Sequence, residues 1–499
     1  MKIRSIAICL GTAVLFACSF FSSSGQTPGK VLSSADLLAD VDILERAYKE
    51  LHPGLYRYNT KEQIDANFAV LRSEFSRDRS LGDSYLAFSV FTAKLKCGHS
   101  YPNFLNQTKE TKTALFFGQD KLPFHFRWLD GKMVVVRNFS TDDRIKPGTE
   151  VVTINGTAAN DVLSKLMTVA RADGSNDAKR VAYLEVLGND RIEAFDVYFP
   201  LFFPLTSKTY SLKVKLPGSK KLVDSTVEAL SYEKRLSSMN NAADNSNDNA
   251  PAFELTYLDS KTALLKMPGW ALYNSKWDWR TFINRSMDEL IDKNIESLIA
   301  DIRPNEGGLD VGDVLISRLI DSEIALSQTK RFVRYQKAPA DLVPFLDTWD
   351  RSFDDWGKSA VDPKDGFFTL KRYDDNANGS MIRPSGRQYK GRVFVLVGAV
   401  NSSATFQFAR TIKQYKLGTL VGQPTGGNQR GINGGAFYFL RMPRTKIEID
   451  LPLIGQFAIG QAPDAGIEPD VYVKPTAADI AAGRDAELEA VKKLISKRK

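Results

Sequence analysis

The chain has 499 residues, of which 43% are hydrophobic and 25% charged, and its formal net charge is +8. This length is enough for two or three domains, and the ordinary composition excludes a collagen-like, coiled-coil or wholly disordered protein. Basic residues are scattered along the chain and do not cluster with aromatic side chains, which argues against nucleic-acid binding.

The N-terminus has the pattern of a secretory signal peptide, which we assign to residues 1–25. Lys2 and Arg4 precede an apolar run at residues 6–17 that is too short to span a membrane. Residues 15–18 (Leu-Phe-Ala-Cys) resemble a bacterial lipobox, in which Cys18 is lipidated. Ordinary signal cleavage near residues 24–26 is the alternative. We therefore expect an exported protein of the periplasm or cell envelope, attached to a membrane only through a lipid on Cys18.

The three cysteines limit the covalent chemistry of the mature chain. Cys9 lies in the predicted signal peptide and lipidation would consume Cys18, which leaves Cys97 as a free thiol. We therefore expect neither an intrachain disulfide nor a zinc site built from cysteines.

The first half of the chain is predicted to form two domains. Apolar residues at helical spacing, such as Leu37, Leu44 and Leu51, predict a helical domain over residues 30–112. Alternating runs at 133–137 and 210–216 predict a β-rich domain over 113–235. Residues 145–156 have a turn, a strand and an Asn-Gly turn that resemble a PDZ domain, which holds a peptide carboxylate on a nearby backbone loop. Any small β-domain with such a hairpin is the alternative.

The second half is predicted to form an α/β domain over residues 252–480. A polar linker at 236–251 precedes it, and a C-terminal helix at 481–499 follows it. We predict strands at 262–267, 295–302, 392–397 and 418–421, helices at 277–293 and 403–415, and an irregular insertion at about 325–390. Alternation of this kind indicates an α/β core with buried parallel strands.

Two serines at the end of a predicted strand are candidates for a nucleophile. Ser402 and Ser403 separate the apolar strand at 392–397 from the helix that follows. The free N–H groups at a helix start favour negative charge on an oxygen, which suits a nucleophile whose reaction produces an oxyanion. A plain N-cap role for either serine is the alternative.

A glycine pair after another strand could complete such a site. Gly307 and Gly308 follow the predicted strand at 295–302, and glycine lets backbone N–H groups approach a substrate closely. An amide of this loop and the amide of Ala404 could form a two-donor oxyanion hole. A plain Gly-rich turn is the alternative.

Histidine is the usual base that activates serine near neutral pH, and the chain has only three. His52 follows a predicted helix and His125 alternates with two phenylalanines in a predicted strand, which indicates structural roles for both. His99 lies beside Gly98 in a short polar turn, which makes it the candidate base.

Together these segments resemble the tail-specific, or C-terminal-processing, serine protease family, in its Ser–His, tricorn-like branch and its bacterial lipoprotein form. The matching motifs, in chain order, are residues 51–56, 98–100, 301–308, 401–404 with 421–427, and 466–471. The resemblance implies a crotonase/ClpP-like catalytic core, a helical N-terminal domain and a PDZ-like domain. It also implies a peptide or protein substrate and no metal or cofactor.

The resemblance assigns roles to individual residues. Ser403 falls at the nucleophile, His99 at the base, and Ala404 with Gly307 or Gly308 at the oxyanion hole. Asn428 stands where many relatives have the lysine of a Ser–Lys pair, and no lysine is near it in the sequence, which favours His99. Asp464, two residues before Gly466, is the candidate carboxylate that orients His99, and a turn role beside Pro463 is the alternative.

The predicted function is acyl transfer from a peptide bond to Ser403, with His99 as base and two backbone amides around the oxyanion. A non-catalytic protein that binds peptides or apolar ligands on the same fold, and a Ser–His esterase, are the alternatives.

Overall fold

The computed structural model describes residues 30–240, 249–326, 329–372 and 381–497. The predicted signal peptide, Cys18 and half of the predicted linker, residues 241–248, lie outside these ranges. Within the described ranges, no helix is both long enough and apolar enough to cross a membrane.

Thirteen α-helices occur within the described ranges. In chain order they are α1 (Ser34–Leu51), α2 (Lys61–Glu74), α3 (Leu81–Lys94), α4 (Lys109–Leu115), α5 (Ala159–Leu166), α6 (Asp177–Tyr183), α7 (Ala194–Phe202), α8 (Tyr232–Ser237), α9 (Trp279–Asp292), α10 (Val311–Ser317), α11 (Ser403–Gln414), α12 (Ala477–Ala481) and α13 (Ala486–Ser496).

The strands of the described ranges form three larger sheets and two small ones. In chain order they are β1 (Val31–Leu32), β2 (Arg79–Ser80), β3 (Phe124–Leu129), β4 (Lys132–Asn138), β5 (Glu150–Ile154), β6 (Thr157–Ala158), β7 (Thr209–Lys215), β8 (Leu222–Glu228), β9 (Glu254–Tyr257), β10 (Thr262–Lys266), β11 (Ser297–Asp301), β12 (Ile324–Ala325), β13 (Thr329–Val333), β14 (Leu346–Asp347), β15 (Ala360–Lys364), β16 (Phe367–Leu370), β17 (Met381–Ile382), β18 (Arg392–Val397), β19 (Thr419–Gly422), β20 (Asn433–Arg441), β21 (Glu448–Ala458) and β22 (Val471–Tyr472).

The N-terminal segment is helical, as the sequence predicts. Helices α1, α2 and α3 begin at the side-chain caps Ser33, Thr60 and Ser80, and Thr60 forms a full capping box with Gln63. Their buried faces carry the apolar residues whose spacing predicted them, including Leu37, Leu44 and Leu51.

The predicted β-rich segment forms a five-stranded sheet in the order β3-β4-β5-β7-β8, with β6 paired to β5. The Asn-Gly turn is present, since Asn155 and Gly156 have φ angles of +48° and +83° between β5 and β6. Three helices, α5 to α7, also lie in this segment, so it is less purely β than the sequence pattern indicates.

The α/β core is a six-stranded sheet in the order β22-β19-β18-β11-β10-β9, parallel except for β9. Asp301 at the end of β11 pairs with Leu396 near the end of β18. Because the strands are parallel, the loops that follow β11 and β18 leave the same edge of the sheet side by side. This arrangement brings the glycine pair and the serine pair together.

A second six-stranded sheet, in the order β14-β20-β21-β13-β16-β15, is antiparallel. The segment predicted as an irregular insertion supplies β13 to β16 of this sheet, so it is not irregular throughout. Its apolar residues belong to one continuous core with helices α1 to α3 and the five-stranded sheet. The α/β core has its own apolar cluster, and a third cluster joins its opposite face to α13.

Candidate active site

Ser403 lies at a sharp turn between β18 and α11. It is the first residue of α11 and has a φ of +51°, in the left-handed region that costs a non-glycine residue about 1–3 kcal/mol. Its side chain is half-buried. A strained, partly accessible residue at a helix start fits a nucleophile better than a plain structural serine.

A capping role does not explain the serine pair. Ser402 occupies the N-cap position of α11, but its side chain makes no capping hydrogen bond. Instead, the Ser402 hydroxyl donates to the carbonyl of Glu306 over 3.2 Å. The first N–H groups of α11 are therefore not satisfied by a capping side chain.

The loop after β11 packs directly on this turn. Gly307 and Gly308 have φ angles of +120° and +138°, which glycine alone adopts without strain. A Cβ atom placed on Gly307 would lie 3.0 Å from the Ala404 nitrogen and 3.0 Å from Ser403 Cβ. Asn401 fixes this approach, because its side-chain amide donates to the carbonyls of Ile302 and Asn305 over 2.5 and 2.9 Å.

The N–H groups of the three predicted oxyanion donors differ in whether they already donate a hydrogen bond. The Gly307 N–H already donates to Asn305 Oδ1 over 2.9 Å. The N–H groups of Gly308 and Ala404 have no acceptor among the residues that the structure describes. Gly308 is therefore the member of the glycine pair whose amide is not already used.

His99 lies in a turn that is held from two sides. The Gly98 N–H donates to Asp173 Oδ1 over 3.0 Å, and Arg171 Nη1 donates to the Gly98 carbonyl over 2.5 Å. The imidazole is half-buried, and Nδ1 is buried without a hydrogen-bond partner in the described part of the chain. Gly434 leaves the other ring edge uncovered by a side chain, since a Cβ there would lie 4.0 Å from Nε2.

The surroundings of His99 keep it in the basic form. Burial lowers the pKa of the imidazole below its ordinary value of 6.5. Four charges act on it as well: Asp173 and Glu306 raise the pKa, and Arg171 and Lys179 lower it. A histidine with a lowered pKa is neutral at pH 7 and can accept a proton.

Glu306 connects the segments that carry the predicted site residues. Lys179 Nζ lies 2.8 Å from Glu306 Oε1 and donates to the carbonyl of Val400 over 2.9 Å. Arg171 Nη2 lies 3.0 Å from the same carboxylate. Since Arg171 also holds Gly98, these two cations join the His99 turn, the Gly307 loop and the turn before Ser403.

Charge balance in this cluster depends on all three side chains. Burial alone would raise the pKa of Glu306, but Arg171 and Lys179 outweigh it and hold that pKa well below its ordinary value. The carboxylate is therefore ionised although it lies beside the predicted oxyanion loop. Its two partners are buried, and the Lys179 side chain is only 5% exposed.

No direct hydrogen bond joins Ser403 Oγ to the His99 ring in the described part of the chain. The structure brings their supporting segments into contact through Arg171 and Glu306. Hydrogen bonds between catalytic groups often form only when a substrate is bound, so the Ser403–His99 pair stays a prediction.

Asp464 is bonded to groups other than His99. Its Oδ1 accepts the Ser175 N–H over 3.0 Å and the Asn428 side-chain amide over 2.7 Å. Asn428 donates from the same nitrogen to the Asp173 carbonyl over 3.2 Å. Asp464 therefore supports the segment next to Asp173 and makes no hydrogen bond with the imidazole.

The other two histidines have the environments that structural roles require. His52 is buried, accepts the Gly54 N–H over 3.1 Å and stacks on Tyr48. His125 is buried in β3, 3.3 Å from the hydroxyl of Ser238. Burial lowers the pKa of each to about 3, so both are neutral.

The predicted PDZ-like loop is not open to a peptide carboxylate at Gly148. Its N–H donates to the carbonyl of Val135 over 2.8 Å, and a Cβ there would lie 2.5 Å from the Ala481 side chain of α12. Gly148 itself is therefore covered by a helix of the same chain, and the expectation that the surrounding β-domain holds a peptide end stays a prediction.

Within the described ranges, no group of three or more His, Cys, Asp or Glu side chains is arranged to hold a metal ion. Cys97 is buried, and Asn433 donates to its sulfur over 3.2 Å.

Comparison with known proteins decides the class of this site. Residues 261–473 match the model of peptidase family S41, and this range contains the loop at 301–308, the serine pair and Asp464. Residues 261–473 belong to peptidase family S41. This match supports a serine peptidase function for the chain, and it agrees with the motifs of the sequence.

Two solved structures of CPAF are similar in fold to this chain over nearly its whole length. Mature CPAF complexed with lactacystin has a TM-score of 0.63 at 17% identity, with 93% of this chain and 98% of that chain covered. Mature CPAF alone has a TM-score of 0.60 at 19% identity, with 93% and 97% covered. The photosystem II D1 C-terminal processing protease has a TM-score of only 0.40 at 14% identity, with 88% and 93% covered. No curated protein sequence matches this chain.

Four residues of the site were not singled out in the sequence. Arg171, Asp173 and Lys179 lie in the β-rich half of the chain and reach the site only through folding. Glu306 lies inside the 301–308 motif, and its position directly before the glycine pair was the one local signal that could have drawn attention to it.

Proposed function

We propose that this S41 peptidase cleaves peptide bonds with Ser403 as nucleophile and His99 as general base. The observation that carries the proposal is the link from Gly98 through Arg171 and Glu306 to Gly307, which packs on Ser403. This link supports the proposal, because it connects the segments of the proposed base, oxyanion hole and nucleophile at one edge of the α/β sheet.

The proposed reaction begins when the neutral imidazole of His99 removes the hydroxyl proton of Ser403. The oxygen attacks the peptide carbonyl, and the N–H groups of Ala404 and Gly308 bind the oxyanion of the tetrahedral intermediate. His99 then protonates the leaving amine, and water releases the acyl group from Ser403. Loss of one oxyanion donor is expected to cost about 3 kcal/mol of transition-state stabilisation.

Lys179 is the rival base, because family members can use a lysine and this one reaches the turn before Ser403. Its environment argues for a different role. Burial lowers the pKa of Lys179, and Glu306 acts in the opposite direction. Nζ lies 2.8 Å from the ionised Glu306 and donates to the Val400 carbonyl, and both contacts favour the charged form of the lysine. We assign it to charge compensation and support of the turn.

The contribution of Asp464 to this mechanism is indirect. Through Asn428 and Ser175 it supports the segment that contains Asp173, and Asp173 in turn holds the Gly98 N–H. We propose that Asp464 keeps this segment in place and does not itself orient the imidazole.

We further propose that the enzyme acts outside the cytoplasm, on exported proteins or peptides, and that a lipid on Cys18 attaches it to the cell envelope. Support comes from the signal-like residues 1–17 and the lipobox-like residues 15–18. Metabolic labelling with a radioactive fatty acid tests this. Label is expected in the wild-type chain and not in Cys18→Ala, and unlabelled wild-type chain would contradict the anchor.

Peptide hydrolysis by two matched variants tests the assignment of the base. We expect His99→Ala to reduce kcat on the order of 10²–10⁴-fold, as loss of a positioned base does, and Lys179→Met to reduce it far less. Circular dichroism establishes that both variants are folded. Near-normal kcat in His99→Ala together with lost activity in Lys179→Met would overturn the assignment and make the lysine the base.

A further inference from the structure

Three aromatic side chains form a surface beside the imidazole, which we call the aromatic shelf: Trp349, Phe437 and Phe439. The Trp349 ring centroid lies 5.9 Å from that of Phe437 and 5.8 Å from that of Phe439. The two phenylalanines are half-buried on one face of β20. Trp349 comes from the segment after β14, the neighbouring strand of β20.

The aromatic shelf is continuous with the catalytic base. The ring centroid of Phe437 lies 5.8 Å from that of His99. Gly434 and Gly435 precede Phe437 on β20. The pairing register of β20 with β21 shifts between Gly434 and Phe437. A Cβ at Gly434 would lie 4.0 Å from both the His99 ring and the Phe437 ring, and glycine places no side chain there.

Exposure of Trp349 is unusual for this chain. Its side chain is 59% exposed, whereas the other five tryptophans are buried or half-buried. Tryptophan has the largest apolar surface of the side chains, and an exposed aromatic cluster is typical of a binding surface. Trp349 is held in place by Phe353, at a centroid distance of 5.5 Å.

We propose that the aromatic shelf binds a large apolar or aromatic side chain of the peptide substrate close to the bond that is cut. This inference rests on the proposed function, because it takes His99 as the position of the scissile bond. The two steps from His99 to Phe437 and from Phe437 to Trp349 span about 12 Å, or roughly three to four residues of extended peptide. The preferred side chain is therefore within four residues of the scissile bond.

A set of octapeptides tests the inference. Each peptide carries phenylalanine at one of the four positions on either side of the scissile bond, with alanine in the other variable positions. The ratio of kcat/KM for the best phenylalanine peptide to that for the all-alanine peptide measures the preference. We expect this ratio to exceed ten in the wild-type enzyme and to fall about tenfold in Trp349→Ala, with most of the loss restored in Trp349→Phe.

Tyr472→Ala is the matched control, because Tyr472 is also 59% exposed but lies on β22, at the edge of the other sheet. Its ratio is expected to equal that of the wild type. An unchanged ratio in Trp349→Ala would overturn the inference, and so would a changed sedimentation coefficient with an unchanged ratio, which would make the shelf a contact between copies.

Labelling by a fluorophosphonate probe separates this inference from the proposed function. If Ser403 is labelled and peptides are cleaved while the ratio does not change in Trp349→Ala, the shelf inference fails and the mechanism stands. If Ser403 is not labelled, the mechanism itself fails.

Discussion

Lys179 and Glu306 form an ion pair, with 2.8 Å between Nζ and Oε1, that ties the loop of the oxyanion donors to the turn before the nucleophile. The pair combines residues from two separate parts of the chain, α6 and the loop after β11. Together with Arg171 it places two cations and one anion near His99. The charge of this cluster is therefore expected to control the protonation of the base.

The pH dependence of the wild-type enzyme should show a base with a low pKa. Burial lowers the pKa of His99 below 6.5, and only the neutral imidazole can accept the Ser403 proton. As pH falls, kcat/KM should therefore decline with a midpoint below pH 6.5. A decline centred at or above pH 6.5, measured on a short peptide, would contradict this environment for the base.

Two substitutions in the cluster should move that decline in opposite directions. Glu306→Gln removes an anion that raises the pKa of His99, so the decline should move to lower pH. Lys179→Met removes a cation that lowers it, so the decline should move to higher pH. The two shifts should be opposite in sign, because the two substitutions remove charges of opposite sign.

The same pH profiles separate an electrostatic role of the cluster from a merely structural one. Loss of packing alone would lower kcat in both variants without a displacement of opposite sign. Shifts in one common direction, or none, would contradict the role of the Lys179–Glu306 pair.

Gly307→Ala should abolish most activity without unfolding the protein. A Cβ atom there would lie 3.0 Å from the Ala404 nitrogen and would need a φ of +120°, so the loop must move off the oxyanion donors. We expect a loss of at least 10²–10³-fold in kcat, comparable to the loss of an oxyanion donor. Gly398→Ala is the control on the neighbouring loop, because nothing lies within 4 Å of a Cβ at that position.

Asp173 should matter more to catalysis than Asp464. The carboxylate of Asp173 holds the Gly98 N–H next to the base, whereas Asp464 is bonded to Ser175 and Asn428. We expect Asp173→Ala to lower kcat on the order of tenfold to a hundredfold, since misplacing a base by about 1 Å has such an effect, and Asp464→Ala to lower it only a few-fold. The reverse order, in variants with equal thermal stability, would restore Asp464 as the group that orients His99.

The sequence was most informative where structure depends on local pattern. The strand at 392–397 is β18, and the helix predicted at 403–415 is α11 with one residue fewer, because an apolar run followed by Ser-Ser is a local signal. The motifs around His99, Gly307 and Ser403 could be found for the same reason. A short motif fixes a backbone shape and the side chains at its end.

Features that depend on distant residues could not be predicted in this way. In the antiparallel sheet, β13 pairs with β21, which lies more than 100 residues later in the chain. No local sequence pattern predicts which distant strand will pair with β13. Arg171 and Lys179 resemble ordinary surface cations in the sequence, yet both are buried against Glu306. The sequence singles out Asp464, but only the folded structure shows that Asp464 accepts hydrogen bonds from Ser175 and Asn428.

Covalent labelling of Ser403 tests the central claim most directly. After reaction with a fluorophosphonate probe, peptide mapping by mass spectrometry should find the modification on Ser403 in the wild type and in Ser402→Ala, and no modification in Ser403→Ala. His99→Ala should be folded and should react on the order of 10²–10⁴-fold more slowly. Label on a different residue, or label that persists in folded Ser403→Ala, would contradict the account.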